Sequence, residues 1–432
     1  METQYSKLFT TEIETAEHLD DADVLKDFRD AFYIPKHSNG NDVQYFCGNS
    51  LGLQPKATLK CIEQELEDWA RLGVEGHFHA RNPWLQYHEF LSDSTARIVG
   101  ALPSEVVNMN HLSVNLHLLM VSFYRPQKGK AAILIEKGAF PSDRYAVESQ
   151  IKFHGYDPEI ELLEIAPRAG ENTLRTQDIL EYIQQYGSRI ALILMGGVNY
   201  YTGQAFDMQR ITAAGHQQQI KVGFDLAHAA GNILLQLHDW QVDFAAWCTY
   251  KYLNGGPGGV GGCFIHEKHH TDTSLHRFAG WWGQDKEIRF KMGPNFHPIP
   301  TAEGWQLSNA PVLSMAALRA SMALFDRAGM IHLRAKSEQL TAYAEFLIQA
   351  HNVDANRKVE IITPHDSKDR GCQLSLRAGG EHGKVLFDAL IQAGVIADWR
   401  YPDVIRIAPV PLYNSYKDVY DFTHTLFSLL NS

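Results

Sequence analysis

The 432 residues are too many for one small core, and a composition of 45% hydrophobic and 21% charged residues is that of an ordinary globular protein. A formal net charge of −11 argues against a general binder of nucleic acid or of anionic membranes. The five cysteines (Cys47, Cys61, Cys248, Cys263 and Cys372) are scattered and form no C-x-x-C pair, which argues against a disulfide framework or a cysteine-rich zinc site and fits a reducing compartment.

The opening METQYSKLFTTEIETAEHLDDAD is acidic and polar and carries no signal-peptide pattern. No run of about 18 apolar residues follows, so no membrane span is expected. A cytoplasmic protein is the resulting expectation. Residues 1–45 read as short helices and a loop ending in KHSNGND, and YFCGNSLG as a short strand entering a tight turn. PKATLKCIEQELEDWARLG has helical period, with Pro55 near its start and Gly73 at its end. From about residue 104 strands and helices alternate: VVNMN, SVNLHLLMVSFY, AAILIE, FPSDRYAVESQIKFHG, IELLEI, TQDILEYIQQYG, IALILMG, DMQRITAAGHQQQ and KVGFD. This alternation predicts a mostly parallel sheet, and the uniformly apolar IALILMG and CFI predict burial on both faces.

After Pro311 the texture changes. Two helices, LSMAALRASMALFDRAG and MIHLRAKSEQLTAYAEFLIQAH, precede the strands VEIITP and CQLSLRA, the helix KVLFDALIQAG, the strands VIADWR and VIRIAP, and a final helix. The expected architecture is α/β: a large domain with a mostly parallel central sheet flanked by helices, plus a smaller α+β C-terminal domain. The boundaries are placed at 1–60 for an N-terminal arm packing with the small domain, 61–310 for the large domain and 311–432 for the small one.

Two motifs invite misreading. HEKHH (His266 to His270) fits the H-E-x-x-H zinc pattern, which needs both histidines on one helical face. Here a strand-like segment precedes it and TDTS follows, leaving no long helix. Gly256 to Gly261 fits G-x-G-x-x-G, but a dinucleotide fingerprint opens a helix, whereas this one precedes a strand. A close backbone turn is its expected use.

The chemistry-bearing pair is FDLAHAAGN with WCTYKYLNGGPGG. Asp225 ends a strand, His228 follows it, and Lys251 sits between tyrosines in an apolar setting. Parallel sheets bind ligands at the carboxyl ends of their strands. An aspartate there can hold a pyridinium nitrogen protonated and a lysine can form a Schiff base; pyridoxal 5′-phosphate needs both. Asp225 and Ser113 equally suit helix caps. Leu112 and Ser113 begin a helix, where backbone N–H groups hold phosphate. Phe140, in the loop AFPSD, could face an aromatic ring or pack in the core. Asp143 suits the first turn of the next helix.

FDLAHAAGN, CTYKYLNGGPGG, AGWWG, WQLSNAP and IRIAPVPLYNS together closely resemble the kynureninase family, from YFCGNSLGLQP through the C-terminal region. The resemblance implies the fold type I, aspartate aminotransferase-like architecture and a homodimer with active sites at the subunit interface. It implies hydrolysis of L-kynurenine or 3-hydroxy-L-kynurenine to anthranilate or 3-hydroxyanthranilate and L-alanine. By motif, Lys251 would be the Schiff-base lysine, Asp225 the partner of the pyridine nitrogen, and His228 a cofactor-lining residue. Tyr250 would bind phosphate and serve in proton transfer. Leu112 and Ser113 would bind phosphate, Phe140 would stack on the ring, and Asp143 would lie close by. Trp281 and Asn309 resemble residues that reach the phosphate from the second subunit.

Arg406 resembles the clamp for the substrate carboxylate, with Arg400 as nearby competitor. His77, Ser308 and Asn309 resemble a substrate pocket that hydrogen-bonds a ring hydroxyl, which favours 3-hydroxykynurenine. Gly196 departs from the pattern, standing where members of the family carry a serine that contacts the cofactor. The alternatives are another fold type I enzyme (a cysteine desulfurase or aminotransferase), a non-catalytic cofactor-binding protein, and, remotely, a zinc protease. A desulfurase needs a mobile cysteine, and Cys372 in GCQLSLR reads as strand.

Overall fold

A helix (Ile13–Ala22) and a two-residue strand, β1 (Gln44–Tyr45), lead into the molecule. The computed structural model describes residues 8–355, 358–378 and 380–431, so the reading of residues 1–7 lies outside it. Phe9, Ala16 and Phe46 bury themselves among the C-terminal elements rather than against the large sheet. The helix Ala57–Leu72 then ends at Gly73, whose φ of +54° lets the chain break off.

Seven strands form the large sheet: β2 (Val106–Asn108), β3 (Ala132–Glu136), β4 (Leu162–Ile165), β5 (Ile190–Gly196), β6 (Lys221–Asp225), β7 (Phe244–Trp247) and β8 (Gly262–Ile265). Their order is β2-β8-β7-β6-β5-β3-β4. Strands β3 to β7 run parallel, and β8 is antiparallel to both its neighbours. Alternate residues serve opposite faces, as a period of two requires. Ile133 and Ile135 of β3, with Leu192 and Leu194 of β5, join one core with Leu116 and Phe123 of the helix Leu112–Phe123. Leu134, Ile193 and Met195 join the core on the other face. Each such side chain contributes about 1.5–3 kcal/mol on leaving water. This is why these strands are apolar throughout instead of alternating with polar residues.

The connections fix where a ligand can sit. The chain leaves β3 through the helix Pro141–Phe153, whose Val147 and Ile151 pack on one face. It leaves β5 through the helix Met208–Gln217, whose Ile211 packs on the other. Between the carboxyl ends of β3 and β5 the flanking helices part, opening the crevice expected where strand order reverses.

The helix Val312–Ala328 packs on Ala57–Leu72 and sends Met315, Leu318 and Phe325 into the core of the large sheet. Beyond Gly329, the helix Met330–Asp354 turns Leu340, Tyr343 and Leu347 into a second core. That core covers an antiparallel sheet of β9 (Glu360–Ile361), β10 (Leu374–Arg377), β12 (Asp398–Arg400) and β13 (Val404–Ile407), in the order β12-β13-β10-β9. The expected single strand VIADWR is two: β11 (Val395–Ile396) pairs with β1, and β12 pairs with β13. The C-terminal helix, Tyr416–Asn431, closes this half and meets Ile13–Ala22. Among the described residues no helix is long and apolar enough to cross a membrane.

Candidate active site

A cavity of about 460 Å³ opens at the crevice. Lys251 reaches it because the chain leaves the sheet after β7 and turns sharply. The Thr249 hydroxyl donates to the Val260 carbonyl at 2.6 Å, and Gly255 N–H donates to the Thr249 carbonyl at 2.9 Å. Gly256 (φ +87°) and Gly258 (φ +63°) make the return that a side chain would strain. The glycine run therefore serves a backbone turn, as its sequence context suggests. Lys251 Nζ lies 3.0 Å from His228 Nε2, and 5.8 Å and 6.0 Å from the ring centroids of Phe140 and Tyr250. Burial, then the charge of Lys251, drives the His228 imidazole well below its ordinary range, so it stays neutral. Its Nε2 accepts from the lysine ammonium, and its Nδ1 is buried without a partner.

Three carboxyl groups line the same cavity. Asp225 ends β6 and accepts the Ala227 N–H at 2.7 Å. Asp143, in the first turn of Pro141–Phe153, is pushed well up, by burial first and the neighbouring Asp225 carboxylate second. Glu136 ends β3, and burial raises it to about 7. Its two oxygens accept from Gly196 N–H at 3.3 and 3.2 Å. A Cβ on Gly196 would stand 2.9 Å from Glu136 Oε1. The glycine that departs from the family pattern thus leaves room for a carboxyl group.

Two helix N-termini also meet at the cavity. Leu112–Phe123 is preceded by His111 at its cap, so Ser113 stands inside the first turn. Pro141–Phe153 brings Ser142, and the two hydroxyls are 2.9 Å apart. Two helix starts with hydroxyls between them form an anion site. Tyr250, half-buried, closes this part of the cavity, and burial raises its hydroxyl above its usual range.

The structure therefore brings together Leu112, Ser113, Phe140, Asp143, Asp225, His228, Tyr250 and Lys251. It does not bring the others to this cavity within one chain. His77 and Asn309 line a separate cavity of about 260 Å³ with Trp69, Trp84 and Leu313, and Ser308 is exposed beside it. Trp281 is 47% exposed and donates through Nε1 to the Arg289 carbonyl at 3.2 Å. Arg406 is fully buried, donating to the Tyr200 carbonyl at 2.6 Å and to Asp398 at 2.7 Å, whereas Arg400 lines the cavity. Sequence reasoning missed Ser50, Glu136, Ser142 and Tyr200 as lining residues. A signal existed for Glu136, the acid ending AAILIE, and for Ser142, two residues after Phe140 in AFPSD.

The zinc reading of HEKHH fails on geometry. Its segment is one short 3₁₀ turn (Glu267–His269). His269 Nε2 meets Asp243 at 2.7 Å, His270 Nε2 meets the Ile265 carbonyl at 2.9 Å, and His266 faces Glu105 at 3.5 Å. Three separate partners leave no shared ligand. Cys372 lies just before β10, not within it, but it is buried and its thiol is pushed up to about 12. It cannot supply the thiolate a desulfurase requires.

The donor set matches a phosphorylated pyridine aldehyde. The same cavity is lined by two helix starts with their hydroxyls, a strand-end carboxylate, an aromatic ring and one amine. The unpartnered His228 Nδ1 is a buried donor still to be satisfied, as expected where a ligand completes the network.

Comparisons with known proteins agree. Residues 333–426 match the family model described as the kynureninase C-terminal domain. The chain is 57% identical to the kynureninase of Koribacter versatilis (strain Ellin345), over 98% of this chain and 99% of that one. In fold it is similar to the apo cysteine desulfurase of Thermococcus onnurineus NA1, with a TM-score of 0.75 and 15% identity over 94% of this chain and 98% of that one. It is also similar to a variant of C-DES with glycine covalently linked to its PLP cofactor, with a TM-score of 0.72 and 18% identity over 89% of this chain and 96% of that one.

Proposed function

The chain belongs to the kynureninase family, and from that premise we propose that the cavity around Lys251 is its active site. The activity is hydrolysis of the β,γ carbon–carbon bond of L-kynurenine or 3-hydroxy-L-kynurenine, giving anthranilate or 3-hydroxyanthranilate and L-alanine, with pyridoxal 5′-phosphate as cofactor. In tryptophan catabolism and NAD biosynthesis this step takes up the kynurenine skeleton.

When bound, the cofactor supplies an electron sink for the substrate's α-carbon. The chain's own groups do the rest. Lys251 would hold the cofactor through Nζ, and the amine that substrate frees would take the α-proton. Asp225, at the end of β6 in the cavity lining, would pair with the ring nitrogen. His228, neutral, holds Nζ through Nε2 and has Nδ1–H left to donate. Ser113 and the N–H groups from Leu112 onward would hold the phosphate with Tyr250, and Phe140 would cover the ring. Burial, then the Asp225 charge, pushes Asp143 well up, which favours its neutral form and limits the negative charge beside Asp225. Tyr250, lining the cavity, would return a proton to the β-carbon that stays with alanine once the anthranilate leaves. Arg400, which lines the cavity, and Arg406, buried directly behind it, would together receive the substrate carboxylate.

A homodimer accounts for the residues left outside the cavity. Leu66, Trp69, Phe78, Trp281 and Phe290 are exposed apolar side chains on and near the elements that carry His77 and Asn309. Docked against a second copy, that face brings His77, Ser308, Asn309 and Trp281 to the neighbouring cavity. The three polar groups then hydrogen-bond a ring hydroxyl, which favours 3-hydroxykynurenine. The unpaired cysteines and the absence of a spanning helix among the described residues support a cytoplasmic location.

The observation that carries this reading is the 3.0 Å contact of Lys251 with a neutral His228 inside the cavity that also holds Asp225. Borohydride reduction of the cofactor-loaded protein, followed by peptide mapping, tests it. The label should fall on Lys251, and Lys251→Ala should lose both label and product formation from either kynurenine. A reduced adduct on another lysine would refute the assignment.

A further inference from the structure

We propose that Asp398 is a positioning residue for the substrate carboxylate, holding Arg406 and Arg400 as one preformed guanidinium pair at the cavity wall. The proposal rests on the reading that this carboxylate meets Arg406.

Register brings the parts together. Asp398 of β12 stands directly opposite Arg406 of β13, and Arg400 is two residues along on the same face of β12. A single oxygen, Asp398 Oδ2, accepts from Arg406 Nη2 at 2.7 Å, from Arg400 Nη2 at 3.0 Å and from the Ser50 hydroxyl. Arg406 is further pinned by Nη1 to the Tyr200 carbonyl at 2.6 Å, and its Nη2 is 3.4 Å from Ser50 Oγ. Ser50, Tyr200 and Arg400 line the cavity, so the cluster forms part of its wall. The Nε atoms of both arginines are buried without a partner, so the cluster retains unused donors.

Charge decides what this arrangement does. Two guanidinium groups alone would repel and, half-desolvated, would spread apart. One carboxylate between them cancels one charge, fixes both planes and leaves a net single positive charge beside the cavity. That is the complement of one substrate carboxylate. Ser50, from the segment after β1, ties the small sheet's cluster to the cavity edge.

The test is Asp398→Asn in the cofactor-loaded enzyme, with kcat and KM measured on kynurenine and 3-hydroxykynurenine. Inhibition by the decarboxylated analogue of the substrate is measured alongside. KM should rise about tenfold while kcat changes by less than about threefold, because no bond of the carboxylate itself is made or broken in the reaction. The decarboxylated analogue should inhibit variant and parent equally, and the cofactor absorbance spectrum should not move.

An unchanged or lowered KM overturns the proposal, since Asp398 would then only compete with substrate for the arginines. Equal weakening of substrate and analogue also overturns it, by showing a general structural role. Should Asp398→Asn not fold, Ser50→Ala carries the test: removing one donor without altering charge should raise KM about threefold with the same selectivity for the carboxylate, and no rise refutes the proposal. Arg406→Lys separates the two layers. If it leaves KM unchanged, the carboxylate does not bind there and the underlying reading falls as well.

Discussion

Glu136→Gln should remove a pH dependence of stability that the cavity builds into the fold. The Glu136 carboxyl is 3% exposed, receives one backbone N–H, and is raised by burial from an ordinary value of 4.5 to about 7. The sign follows from proton counting. Between those values the unfolded chain has released the proton and the folded chain still holds it, so folding is favoured by low pH and weakens as pH rises. Each pH step of one across which the two states differ by a whole proton is worth about 1.4 kcal/mol, so the contribution lost between pH 4.5 and somewhat above 7 is about 3 kcal/mol. Glutamine keeps the shape and cannot titrate. Urea unfolding of the cofactor-free protein and of Glu136→Gln, measured from pH 5 to pH 8, isolates this group together with its charge coupling to Asp143, because the remaining titrations are common to both. The stability of the parent relative to the variant should fall by about 2–3 kcal/mol across that range, most steeply near pH 6. A difference that stays constant with pH would show that Glu136 is ionised in the folded protein, and the reasoning from burial would be wrong.

Gly196→Ser should weaken cofactor retention and cost about 1–3 kcal/mol of stability, because its Cβ would stand 2.9 Å from Glu136 Oε1; combining it with Glu136→Ala should restore both, read by cofactor dissociation and thermal unfolding. Mixing inactive Lys251→Ala with inactive Asn309→Ala under subunit exchange should recover about a quarter of parental activity if two copies share each site, and none if each chain works alone.

What sequence could show follows from where information is stored. Asp225 and Lys251 were legible because each closes an apolar strand region, where a charged group stands out against its neighbours. The parallel sheet was legible for the same reason: strands covered on both faces are apolar without alternation. Glu136 was not, because an acid at the end of a strand looks solvated until the crevice beside β5 is known, and Gly196 acquires its meaning only from Glu136. Arg406 was legible as a residue type and not as a geometry. Read as one strand, VIADWR gives Asp398 no partner. Split between β1 and β13, the same residues place Asp398 opposite Arg406. His77, Ser308, Asn309 and Trp281 mark the opposite limit. Their side chains lie on a face that one chain leaves exposed, so no reading of local pattern, and no single copy of the fold, brings them to Lys251. The exposed Trp69 and Phe78 beside them are apolar surface that a second copy would cover, and only such an interface would bring these side chains to a Lys251. The subunit-mixing experiment therefore tests whether a second copy supplies these side chains, while the titration of Glu136 bears on the cavity that one chain lines by itself.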